Sequence, residues 1–131
     1  MRPRISLTDY NTLRTLTNNI SPTFETKEIT QLEKELDKAA VINDNKLNKK
    51  TVKLNSLVKI KDLVSGKTML LEIVLPSHAD LKEKKISVLA PISIALLGFK
   101  EGVSFEWQMP GGLKHIKIIS VKSKGGTLSL K

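Results

Sequence analysis

Four short runs contain residue types that could do chemistry. Ser65-Gly66-Lys67-Thr68 ends like a phosphate-binding loop, in which glycine amides cradle phosphates and the lysine reaches them. That loop needs a second glycine five residues before Gly66, where this chain has Lys61, and a helix behind it. The residues that follow, Thr68 to Leu75, have strand character, so the run reads as a hairpin turn. Ser77-His78-Ala79-Asp80 places a base near a carboxylate, as in a triad fragment or a metal site. The only other histidine is His115 and there is no cysteine, whereas catalytic zinc typically takes three protein ligands. Pro110-Gly111-Gly112, with His115 close behind, could bring backbone amides to an anion, but a tight turn explains both glycines. Glu25 and Glu28 follow a Ser21-Pro22-Thr23 break. Paired acids can hold magnesium, and acids also suit the positive end of a helix dipole. The residues alone therefore predict no catalytic group, no metal, no cofactor and no small-molecule substrate.

Composition sets the frame for these runs. The chain has 131 residues, of which 22 are Lys or Arg and 13 Asp or Glu, a net charge of +9. A hydrophobic share of 40% is too high for a disordered chain. The apolar runs are too short for a membrane span of about 20 residues. Polar residues follow Arg2 and Arg4, which is no signal-peptide pattern, so the expected compartment is the cytoplasm. Residues 1–42 contain equal numbers of acids and bases, so the whole excess belongs to the remainder. A basic excess points to an acidic partner: nucleic acid, anionic lipid or an acidic protein surface.

The elements that must position these residues fall into two regions. Leu7, Tyr10, Leu13, Leu16 and Ile20 recur at helical spacing behind a possible Thr8 cap. After the Ser21-Pro22 break, Thr26 can cap a second helix with Ile29, Leu32, Leu36, Ala39 and Ala40 on one side. The expectation is a short antiparallel helical hairpin, its second arm about 16 residues and roughly 24 Å long. The polar run 43–50 reads as a linker, giving units at residues 1–46 and 47–131. The second unit alternates: Val58 and Ile60 against Lys59 and Lys61, then Val103, Phe105 and Trp107, then Ile116 and Ile118. Pro91 can start a short helix that Gly98 ends. The fold class expected is α+β, a mostly antiparallel sheet with one short helix. Lys59, Lys61, Lys114 and Lys117 are expected on solvated faces. The aromatics are only Tyr10, Phe24, Phe99, Phe105 and Trp107, and no arginine follows Arg14. Nucleic-acid binding by this unit is therefore expected to be weak and non-specific at most.

The run Ile86 to Gly98, with Pro91 between strand and helix, resembles the corresponding segment of the Gre transcription factors. Lys100-Glu101-Gly102-Val103 and Pro110-Gly111-Gly112 stand in the order that family shows. Val52, Asn55-Ser56, Val58, Gly66 and the run Ile73 to Pro76 are more similar still to its Rnk branch, the regulators of nucleoside diphosphate kinase. The resemblance covers about residues 51–121. It implies an FKBP-like C-terminal domain and a bacterial RNA polymerase partner at the secondary-channel rim. It also implies a docking loop of Ser87, Leu89, Ala90 and Pro91, in which Leu89 and Ala90 replace more polar residues common in the family. Gre factors carry a coiled coil about twice as long as the roughly 24 Å expected here, with acids at its tip that help hold the catalytic magnesium. Here Thr23, Glu25 and Glu28 are the tip candidates. The expected function is a non-catalytic regulator, not an enzyme, that competes with Gre factors. The alternatives are a transcript-cleavage stimulator acting through Glu25 and Glu28, or a basic nucleic-acid-binding module.

Overall fold

The computed structural model describes residues 2–19, 26–109 and 111–123. Two short strands, β1 (Arg4–Ser6) and β2 (Ala40–Ile42), run parallel and flank two helices, α1 (Leu7–Asn18) and α2 (Lys27–Lys38). Strands β3 (Ser56–Asp62), β4 (Thr68–Val74), β5 (Lys85–Ser87), β6 (Ser104–Met109) and β7 (Gly112–Ser123) make one sheet in the order β5-β4-β3-β7-β6. Helix α3 (Pro91–Leu96) connects β5 to β6. The class is α+β, and the sheet is antiparallel except where β5 joins β4 in parallel.

Local chemistry accounts for the helix ends. Thr26 accepts the Ile29 amide at 3.3 Å and so caps α2 as its sequence predicts. For α1 the cap is Ser6, not Thr8: the Ser6 hydroxyl accepts the Asp9 amide at 3.1 Å. Thr8 instead gives both its amide and its hydroxyl to the Asp44 carboxylate. Asp44 stands on the polar run expected as a linker. That run forms a tight 3-10 turn, buries Leu47 and places its acid at the positive end of α1. Helix α2 ends at Lys38, two residues earlier than its apolar pattern suggests, because the Ala40 amide turns to the Pro3 carbonyl at 2.9 Å. Each helix is 12 residues, roughly 18 Å at 1.5 Å per residue, shorter than expected for the second arm.

A single apolar core joins these parts. Val58, Ile60, Leu71, Ile73, Ile116, Ile118 and Val121 cover one face of the sheet, and Ile94 and Leu96 of α3, with Leu97 just after it, join the same cluster. Ile5, Leu13, Leu32 and Leu36 extend the same cluster into the helices. Full burial of a leucine such as Leu32 contributes about 1.5–3 kcal/mol. Arg14 and Asp37 tie α1 to α2 by an ion pair at 2.5 Å, and the guanidinium lies 5.1 Å from the centre of the Tyr10 ring.

Asp9 links α1 to the sheet by accepting the Leu54 amide at 3.0 Å. Burial pushes its carboxyl above the usual aspartate range, and the Leu54 amide and Lys53 pull part of the way back. The folded chain thus holds the Asp9 proton more tightly than the unfolded chain. Ionising Asp9 costs stability as pH rises from the unfolded aspartate value, about 3.9, through the higher folded one. Asp44 and Asp62 behave oppositely. Thr8 hydrogen bonds hold Asp44 below its usual value, and the Val64 and Ser65 amides do so for Asp62. Their contribution is present above the unfolded value and is lost as pH falls through the folded ones. Asp9→Asn, which keeps an acceptor for Leu54, is expected to remove the decline above the aspartate range and leave the acid limb in place. Asp9→Ala orphans the amide and is expected to cost about 1–3 kcal/mol. Urea midpoints across pH check both.

Candidate functional site

The predicted docking loop leaves the sheet at the end of β5. Ser87 closes that strand, its hydroxyl accepting the Leu89 amide at 3.0 Å and its carbonyl the Ala90 amide at 2.9 Å. These bonds fold Val88 to Ala90 into a turn. Val88 points into the core, while Leu89 and Ala90 remain half-buried. Ala90 is the residue before α3, and Pro91 opens the helix at its first position, exposed. Proline suits that position because its missing N–H would have no helical partner there. The four predicted loop residues therefore share the turn between β5 and α3.

Next to this loop is a feature that the alternation pattern did not single out. Ile92, the residue after Pro91, faces a groove whose floor is Ile60, Met69, Trp107 and Ile116. The cavity measures about 410 Å³, and Asp62, Lys67 and Lys114 line its polar rim. The floor residues occupy core-facing positions of β3, β4, β6 and β7. Because α3 covers only part of that face, Met69 is left 57% exposed and Trp107 only half-buried. The sequence places Trp107 in the core; the structure shows it packed on the core with its outer side open to the groove. The one sequence hint was Met69, a flexible apolar residue in the strand after Gly66, which the structure pairs with Ile60.

Lys114 corrects a second expectation. The register pairs it with Trp107 on the core-facing side, whereas Lys117 pairs with Ser104 on the other. Lys114 is thus not on the solvated face with Lys117. It bonds to Asp62 at 3.2 Å, and the same carboxylate accepts the Val64 amide at 2.9 Å. Asp62 therefore both shapes the β3–β4 turn and fixes a lysine at the groove mouth. The outer face carries Lys59, Lys61, Lys117 and Lys122, with Lys61 directly opposite Lys117.

The other chemical candidates resolve into structure. Ser65 to Thr68 is a hairpin turn with Gly66 at φ +78°, and a strand follows it. His78 and Asp80 stand in successive 3-10 turns, and Asp80 caps its own by accepting the Lys82 amide at 3.1 Å. His115 faces Glu106 across the β6–β7 pair at 3.6 Å. Gly111 and Gly112 form the expected turn, of which Pro110 lies outside the described residues. Of the three tip candidates, Thr23 and Glu25 lie outside the described residues; Glu28 is in the first turn of α2, half-buried. Among the described residues no group of three or more His, Asp or Glu side chains could hold a metal ion. No helix among them is long and apolar enough to cross a membrane.

Residues 47–123, which contain the loop, the groove and the whole sheet, match the family described as "Transcription elongation factor, GreA/GreB, C-term". The chain belongs to the GreA/GreB family. Within it, the chain is 32% identical over 92 residues to the regulator of nucleoside diphosphate kinase of Escherichia coli strain K12, covering 70% of this chain and 68% of that one. It is 37% identical over 94 residues to the transcription elongation factor GreA of Christiangramia forsetii, covering 72% of this chain and 60% of that one. A solved GreA/GreB structure from Nitrosomonas europaea superposes over 93% of this chain and 98% of its own, with a TM-score of 0.76 at 32% identity. The GreA/GreB fold thus extends through the helices as well as the sheet.

Proposed function

We propose that this GreA/GreB chain is a non-catalytic transcription regulator that binds RNA polymerase at the rim of the secondary channel. The observation that carries the reading is the junction of the Ser87–Pro91 loop with the apolar groove. An exposed proline and Ile92 lead directly onto a floor of Met69, Trp107 and Ile116. A recessed aromatic with charged groups at the rim is the arrangement that concentrates binding energy at protein interfaces. The comparisons supply the partner's class, since relatives carry the name transcription elongation factor.

In this reading residues 47–131 are an FKBP-like docking domain, and residues 1–46 form a short antiparallel hairpin arm. The beginning of α1 and the end of α2 both meet the β1–β2 pair, which supports the hairpin. Helices of roughly 18 Å end far short of what an arm twice as long as first expected would reach. A carboxylate must come within about 2–2.6 Å of a metal to ligate it. The chain would therefore occupy the channel entrance, exclude longer-armed factors and leave RNA intact, acting in the cytoplasm. The net charge of +9 steers it toward an acidic protein surface and raises its association rate.

Two measurements test this. Core polymerase is expected to retain the chain at low salt, and a Gre factor is expected to displace it. Absence of a complex, with a Gre factor binding in parallel, overturns the docking. Added to backtracked elongation complexes, the chain is expected to yield no shortened RNA. Shortened transcripts would instead establish the cleavage-stimulating reading through Glu25 and Glu28.

A further inference from the structure

One edge of the sheet is only partly covered. On one side β4 pairs with β3 from Thr68 to Glu72, while on the other β5 pairs only with Glu72, Ile73 and Val74. Backbone groups alternate in direction along a strand. The Glu72 amide donates to Lys84 at 2.9 Å and the Val74 carbonyl accepts the Val88 amide at 2.7 Å, so even-numbered residues face the β5 side. By the same alternation the N–H and C=O groups of Thr68 and Leu70 point outward, beyond the start of β5. Among the described residues no strand pairs with them on that side. The chain turns away through the Leu81–Glu83 turn, which ends at Lys84 with φ +59°. What remains is a recess of about 580 Å³ lined by Lys59, Thr68, Leu70, Leu81, Lys84 and Ile86. Leu81 is 80% exposed and Leu70 41%.

The chemistry of this recess selects its occupant. An open backbone edge with apolar side chains beside it accepts an added strand, whose side chains would alternate between the face of Leu70 and Lys59 and the face of Ile86. Single-stranded nucleic acid would need aromatic surfaces to stack on, and none lines the recess. Of the residues lining the recess, Lys59 and Lys84 have no ion-pair partner among the described residues. The nearby acids are Glu72, which is buried, Glu83, and Asp80, which is turned into its own loop. A second copy pairing edge to edge would bring the same lysines together in chains of charge +9. We propose that the Thr68–Leu71 edge of β4 is a strand-addition site for an extended acidic segment of a partner protein. The site is independent of the loop-and-groove reading, and either can fail alone.

The test uses the full chain and a short peptide of alternating glutamate and valine, followed by backbone NMR. Shifts and slowed amide exchange are expected at Thr68 and Leu70. Lys59→Glu is expected to weaken the peptide about tenfold or more, since it sets a like charge against it. Leu70→Pro removes an outward N–H without touching the β3 ladder, and is expected to abolish binding while leaving the β3–β4 amides protected. A lysine–valine peptide should not bind. The proposal is overturned if Thr68–Leu71 do not respond, or if the basic peptide binds equally. A single-stranded oligonucleotide, or a second copy at rising protein concentration, shifting the same amides would also overturn it.

Discussion

Gly98→Ala is expected to destabilise the fold by about 2–4 kcal/mol, read as a lower urea midpoint with an unchanged slope. Gly98 follows α3 at φ +87°, a conformation that costs a side-chain-bearing residue about 1–2 kcal/mol. Space is the second cost. A Cβ on Gly98 would lie 2.6 Å from the Pro3 Cβ and 3.0 Å from the Arg4 nitrogen. Both belong to the segment entering β1, and backbone cannot swing aside as a long side chain can. Gly98 also accepts the Arg4 amide at 3.0 Å and donates to the Val52 carbonyl at 3.0 Å. One residue thus joins α3, β1 and the chain leading into the sheet. Gly66→Ala is the informative control. Its φ is +78°, but nothing lies within 4 Å of the added carbon, so only the conformational part of the cost remains. The difference between the two variants measures the close approach of β1 to α3.

Gly98 also illustrates which parts of the fold were legible in the chain. Its role as a helix terminator is local and could be read from position alone, like the Thr26 cap and the Val58/Ile60 alternation. The approach of Pro3, 95 residues away in sequence, could not. The same division explains β1 and β2. Three residues carry no periodicity, and a parallel pair needs a partner outside any local window. Ser6 and Thr8 are both plausible caps by type; the choice was made by Asp44, 36 residues away. The strand, turn and helix from Lys85 to Leu96 were legible because proline and the strand before it have local signatures, whereas the docking role of Ser87 to Pro91 came only from the family resemblance. The groove beside them was not legible. Alternation shows which residues turn toward the core side of a sheet, but not how far a helix of six residues extends over them. Met69, Trp107 and Lys114 share that face and lie beyond its reach.

Trp107→Ala is expected to weaken polymerase binding by about 2 kcal/mol or more, roughly thirtyfold, with the larger part in the dissociation rate. Tryptophan in a recessed site buries a large, rigid area on association, and truncation leaves a void that a partner side chain cannot refill. The same substitution removes half-buried packing from the core edge, so the variant must be shown to fold by its amide spectrum before its affinity is compared. Ile92→Asp tests the same groove by polarity. Ile92 is the residue after Pro91 and faces the groove, and a carboxylate there would lose its hydration in any complex. The expected result is loss of binding, and because Ile92 also packs against the core its fold is checked in the same way. Lys117→Glu, on the opposite face of the sheet, should change the association rate and its salt dependence but not the dissociation rate. If Trp107→Ala and Ile92→Asp bind as the native chain does, the groove is not the docking surface. If Lys117→Glu has the larger effect on dissociation, the contact lies on the lysine face instead. The three variants therefore place the interface on one side of a single sheet.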